Sequence, residues 1–212
     1  MKKIFIFVAF ILAVSNPVHS QFVRIPKDFK PDSIQDFSQY EPKVLECINW
    51  LMITPIDSFK EARKSISKFI IDWGKATPTV LFFPYTKVSD MIYRERNEPY
   101  GLEIFVCYYS GMIKFMIENP EADDLIIVQH AGIIHLVEFY NNNSEMMSHS
   151  LAMSIYTRLV KNGMLDEWIR KRLKRTEIKK FYNSQKNKTI RKSQSLKESR
   201  YPDNRGNLIL MI

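Results

Sequence analysis

Cysteine and glycine are scarce, with two Cys and six Gly among 212 residues. So little glycine excludes collagen-like repeats and argues against folds that cradle phosphate in glycine-rich loops. The two cysteines, Cys47 and Cys107, stand 60 positions apart. That spacing lacks the C-x-x-C pairing of zinc ribbons and thiol oxidoreductases. No H-E-x-x-H and no G-x-S-x-G occurs, so zincin and serine-hydrolase signatures are missing. Beyond the N-terminus, no apolar stretch approaches the ~20 residues that span a bilayer. Alternation with a period of two is almost absent, which argues against an extensive sheet.

What is present begins with an address. Lys2 and Lys3 precede an unbroken apolar run from Ile4 to Val14, eleven residues long. Asn16-Pro17 breaks the run, and Ser20 offers a small residue before Gln21. A positive start, a short apolar run and a small residue form the pattern of a secretory signal peptide. We expect residues 1–20 to be that leader, cut near Ser20-Gln21, and the mature chain to be periplasmic or secreted. The remainder is ordinary in composition, 45% hydrophobic and 25% charged over the whole chain. It suits one globular domain able to bury its own core.

A proline-marked lead, residues 21–42, is expected to drape over the core as an extended arm. From Lys43 the apolar residues fall at helical spacing. Val44, Cys47, Ile48 and Leu51 line one face of a first helix, which Thr54-Pro55 ends. Ser58 and Glu61 fit a capping box for a second helix that carries Phe59, Ala62, Ile66, Phe69, Ile70 and Trp73 to a C-cap at Gly74. Val80 to Phe83 is a short strand or a packed loop. Ser89 caps a short helix through Met91 and Ile92.

Pro99 opens a long helix ending near Asn119, and Pro120 opens the next, which the three asparagines at 141–143 stop. Ser144 is expected to cap a helix through Val160, closed by Asn162-Gly163. A last helix starts near Met164. The fold class is therefore all-α: an antiparallel bundle or stacked hairpins of about six helices over residues 43–169. Short links favour antiparallel neighbours.

Cys47 and Cys107 allow two readings. Export permits a disulfide, which would close a long loop and stabilise by roughly 4 kcal/mol. Equally, both lie within apolar helical patterns, where a thiol packs as a small hydrophobe.

Three local patterns carry a resemblance. They are Asn49-Trp50-Leu51 with Thr54-Pro55; Trp73-Gly74 with Thr77-Pro78 and Val80; and Lys161-Asn162-Gly163 with Leu165 and Glu167. Together, over roughly residues 40–170, they resemble a family of small exported all-helical proteins of Bacteroidetes-type bacteria. The resemblance implies export and a helical fold. It implies no activity and supplies no catalytic or binding residue.

Two helical pairs suggest a metal site: His135 with Glu138 at i, i+3, and Glu145 with His149 at i, i+4. Such spacings place side chains on one helix face. Two faces meeting across a short turn would offer imidazole and carboxylate ligands to a first-row transition metal. Against this, the same spacings are common on solvated faces, so no cofactor is assigned. Tyr108-Tyr109-Ser110-Gly111 reads as a crowded helix whose small residues admit a neighbour.

The strongest feature outside the core is charge. The chain carries a formal +8. From Arg170 to Arg200 stand 13 Lys+Arg against 2 Asp+Glu, a net +11. Setting aside this run, the two leader lysines and a neutral C-terminus leaves residues 21–169 at −5. Residues 170–212 are expected to form a basic helix extension and a flexible tail. Polyanions are its natural partners: anionic lipid or acidic polysaccharide, with nucleic acid disfavoured for an exported chain. Three functions stay open at this point. They are a non-enzymatic envelope or interaction module, a metal-dependent enzyme or metal carrier, and a surface binder acting through residues 170–200.

Overall fold

A computed structural model describes residues 23–31, 36–77, 87–147, 150–184 and 186–187. The expected leader, the apolar run Val80 to Phe83, His149 and the chain after residue 187 lie outside these. Every regular element among the described residues is helical. A 3₁₀ turn, Phe37–Tyr40, runs into α1 (Glu41–Ile53). Then follow α2 (Lys60–Ala76), α3 (Asp90–Arg94), α4 (Gly101–Glu118), α5 (Leu125–Asn142), α6 (Leu151–Lys161) and α7 (Leu165–Arg172). Residues 175–184 are helical too. The chain thus breaks into more pieces than the six or so expected, because the 3₁₀ turn and the second break near Leu173 carry no periodicity of their own.

Helical spacing translates directly into burial. Val44, Cys47, Ile48 and Leu51 of α1 are all buried, as are Ile66, Phe69, Ile70 and Trp73 of α2. Each large apolar side chain removed from water contributes about 1.5–3 kcal/mol. The arm covers this pair. Phe29 meets Phe37, Tyr40 and Phe69 edge-on, with centroids 6.4, 5.3 and 5.0 Å apart. Trp73 donates its indole N–H to the Phe37 carbonyl at 2.9 Å.

The centre of the molecule is the pair α4 and α5. Two glycines let them approach. A Cβ on Gly132 would stand 2.9 Å from the Tyr108 carbonyl oxygen, and one on Gly111 would stand 2.4 Å from the His135 Cβ. The Tyr108-Tyr109-Ser110-Gly111 run is therefore the crowded, small-residue contact that its composition suggested. Tyr108 donates its hydroxyl to Gln129 Oε1 across this contact, and Gln129 Nε2 faces Met112 Sδ at 3.5 Å.

Helix ends are where sequence and structure part. The capping box at Ser58 does not form. Ser58 donates its hydroxyl to Asp57 instead, and the N-cap of α2 is Phe59, held at φ 53°. An aromatic residue in the left-handed region costs on the order of 1 kcal/mol, and here the ring gains a neighbour in Trp50 at 6.1 Å. Gly74 is no C-cap; α2 runs past it to Ala76, and Gly74 is buried inside the helix. Pro99 precedes α4 without entering it, for Tyr100 is its N-cap. Pro120 and Glu121 sit in a turn closed by the Ala122 N–H on the Asn119 carbonyl, and α5 is capped by Asp124, which accepts from the Ile126 N–H at 2.8 Å. Gly163 does close α6 as expected. With φ 64° it completes a Schellman motif, Met164 N–H to Leu159 O and Gly163 N–H to Val160 O.

Ser144 does not cap α6. The helix begins seven residues later, behind Ser150, because a distant carboxylate selects that start. Glu95 accepts the Ser150 hydroxyl and, at 2.7 Å, the Ala152 N–H. A carboxylate there satisfies otherwise unpaired donors and complements the positive helix end.

Two further clamps hold the α1–α2 turn. Buried Arg63 donates to the carbonyls of Thr54 at 2.9 Å and Leu51 at 3.3 Å. Asn143 accepts the Ile56 N–H at 3.1 Å and donates to the Phe139 carbonyl at 2.9 Å.

Candidate functional site

Of the four residues considered for a metal, the structure describes His135, Glu138 and Glu145. His135 turns into the α4–α5 contact and is 9% exposed, while Glu138, one turn on, is exposed. Glu145 stands in the turn that follows α5. His149 itself is outside the described residues. Among the described residues, no three His, Cys, Asp or Glu side chains are grouped to hold a metal ion. His135 and Glu138 part because an i, i+3 offset is about 60° around a helix, enough at the edge of a buried face to put one residue inside and the other outside.

His135 instead records the cost of burial. Its Nε2 has no hydrogen-bond partner. Burial first, then the charge of Lys114, holds the imidazole pKa down to about 4. The unfolded chain takes up this proton near pH 6.5, whereas the folded chain resists until about pH 4. Between those values the unfolded state binds more protons, so stability falls as pH is lowered through the window. The expected loss reaches about 2–3 kcal/mol by pH 4. Urea titrations of wild type and His135→Met at pH 7, 5.5 and 4 check it, since the variant should lack this part of the slope. Equal slopes would contradict it.

Cys47 and Cys107 are both free and buried. Burial pushes each thiol up to about 12, which leaves them protonated and unreactive. Of the two readings of the cysteines, the packed thiols describe this structure.

The basic extension is where exposed chemistry gathers. It has helical order at least to residue 184, and it is docked. Leu173 is 7% exposed and Phe181 is fully buried, with Ile178 packed against the same core. Glu177 reaches back to accept the Lys174 N–H at 2.7 Å, closing one half of a capping box across the break. The signal was readable: Ile178, Phe181 and Tyr182 fall at 0, 3 and 4. The surrounding lysines masked it.

Docking one face displays the other. Arg170, Lys174, Arg175, Lys179, Lys180 and Lys186 are all exposed. Among the described residues none of the six pairs with a carboxylate. Lys171 pairs with Glu167 at 2.6 Å, and Arg172 stacks on Trp168 with its guanidinium carbon 4.1 Å from the ring centroid.

Between this helix and the entrance to α5 lies an open cleft of about 570 Å³. Arg170, Arg175 and Lys179 line it together with Asp123 and Asp124. Ile126, Ile178 and Tyr182 supply its apolar surface. Nothing in the sequence spacing of the aspartates points to basic residues some fifty positions away. No protein-family model, curated protein or solved structure matches the chain.

Proposed function

We propose that this chain is an exported, non-enzymatic interaction module of the cell envelope, of the helical kind it resembles. In this reading it meets anionic envelope surfaces through its basic extension. The observation that carries the reading is Phe181. Its burial docks the helix of residues 175–184 and leaves Arg175, Lys179 and Lys180 exposed on it, with Arg170, Lys174 and Lys186 exposed nearby, where a loose tail would spread them.

Charge distribution supports the same orientation. Residues 21–169 sum to −5, against +11 for residues 170–200. A negative surface repels the domain and attracts the extension, which turns the molecule as it approaches. Each Lys or Arg near an anionic membrane contributes about 1 kcal/mol, within a Debye length of ~8 Å. Lys2, Lys3 and the apolar run after them support export. No helix of the described residues is long and apolar enough to cross a membrane, so a surface contact suits the described part of the chain. The short links between α1 and α2, α4 and α5, and α6 and α7 support stacked antiparallel hairpins as the finer architecture.

Sedimentation with phosphatidylglycerol vesicles tests the reading. Wild type should bind at about 50 mM salt and release at about 0.5 M. Replacing Arg170, Lys174, Arg175, Lys179, Lys180 and Lys186 by Gln should weaken binding at least about a hundredfold. The substitutions spare Leu173, Ile178 and Phe181, so circular dichroism should be unchanged. Undiminished binding by the variant would reject the reading.

A further inference from the structure

The cleft beside the extension carries both signs of charge, and they do not neutralise each other. Among the described residues, no ion pair joins Arg170, Arg175 or Lys179 to Asp123 or Asp124. All five nevertheless line one cavity. Asp124 spends Oδ1 on the α5 cap, accepting the Ile126 N–H at 2.8 Å, and Asp123 is exposed. Opposed charges that line one open volume without pairing suit a guest that is itself a dipole.

We propose that this cleft recognises a zwitterionic phospholipid headgroup, a phosphate joined by a short link to a primary ammonium. The phosphate meets Arg170, Arg175 and Lys179, where guanidinium groups can donate in bidentate fashion. The ammonium meets Asp123 and Asp124 and donates its three hydrogens to their oxygens. The glycerol and the first acyl carbons lie along Ile126, Ile178 and Tyr182. Tyr182 is 51% exposed, a position in which an aromatic ring sits naturally at headgroup level. The volume of about 570 Å³ falls in the range of small-molecule sites. A purely anionic headgroup uses only the basic residues and leaves the aspartates to repel it. The cleft thus adds selectivity to the general attraction of the basic face, and the proposal rests on that surface-binding reading.

The test uses the mature chain and soluble short-chain phosphatidylethanolamine, below its micelle concentration, followed by heteronuclear NMR. Chemical shifts should move at Ile126, Ile178 and Tyr182. Asp123→Asn with Asp124→Asn, which keeps a competent N-cap at 124, should weaken this binding about tenfold. The same variant should hold phosphatidylglycerol vesicles at least as well as wild type does. Short-chain phosphatidylcholine, whose ammonium donates no hydrogen bond, should bind more weakly, and free phosphoethanolamine should bind less than the lipid.

No shift with the short-chain lipid overturns the inference, as does equal affinity in the Asn variant. Tighter binding of a peptide carrying adjacent Lys and Asp would likewise overturn it in favour of a protein partner. If wild type holds phosphatidylglycerol vesicles but ignores the short-chain lipid, only this inference fails. If it ignores both, the surface-binding reading fails with it.

Discussion

Arg63→Ala is expected to cost about 4 kcal/mol of folding stability. Arg63 is 4% exposed, and burial pulls its pKa down, opposed by Cys107 and Glu103. Burial alone therefore makes the folded state disfavour this charge, and the compensating terms must exceed that penalty. They come from the end of α1. The guanidinium donates to the carbonyls of Leu51 and Thr54, which have no helical partner there. It also stands over the Phe139 ring, 5.6 Å from its centroid. The negative end of the α1 dipole stabilises a cation at this point.

Alanine removes these contacts together, leaving two buried acceptors unpaired and a cavity beside Phe139. Arg63→Met separates the terms. It keeps most of the volume and removes the desolvation penalty, but it cannot donate. It should recover about half the loss. Chemical denaturation of the three proteins reads both values. A methionine variant as stable as wild type would show that Arg63 only fills space.

Phe181→Ala carries the second large effect, about 3–4 kcal/mol. Phe181 is fully buried and anchors residues 175–184 to the core. Removing the ring should lower the global stability. It should also loosen the extension well below the denaturation midpoint, since Ile178 and Leu173 alone retain less area. Vesicle binding should persist but lose its orientation, because the cations remain while their rigid face does not. Urea denaturation, together with limited trypsin digestion at Lys179 and Lys180, checks both parts. An unchanged midpoint and unchanged digestion would contradict the docking of this helix.

The helices were legible, and so were the starts of α3 behind Ser89 and of α7 at Met164, but the starts of α2, α4, α5 and α6 were not. Periodicity depends on which face meets the core. Val44, Cys47, Ile48 and Leu51 report that face without knowing what covers it. A start depends on which distant group reaches the first turn. Ser144 and Ser150 are equal candidates locally. The choice falls to Glu95, which sits 55 residues from Ser150 in sequence. Asn143, beside Ser144, is committed to pinning Ile56 instead. Prolines misled in the same way: Pro99 and Pro120 are compatible with a first turn, yet each stands in a turn before its helix.

The candidate site was legible only as composition. The run of lysines and arginines marks a polyanion contact from sequence alone. Whether such a run is a solvated tail or a displayed face turns on three apolar residues, Leu173, Ile178 and Phe181. The acidic part of the cleft lining was invisible, since Asp123 and Asp124 come near Arg170, Arg175 and Lys179 only through tertiary packing.

Hydrogen exchange at the backbone amides of residues 175–184, in the free protein at low salt, tests the central claim most directly. A docked helix predicts protection that persists without any anionic ligand and is lost together with that of the α4–α5 core. Exchange at the rate of an unstructured peptide, with protection appearing only when anionic vesicles are added, would show that the basic face does not exist beforehand and would contradict the account.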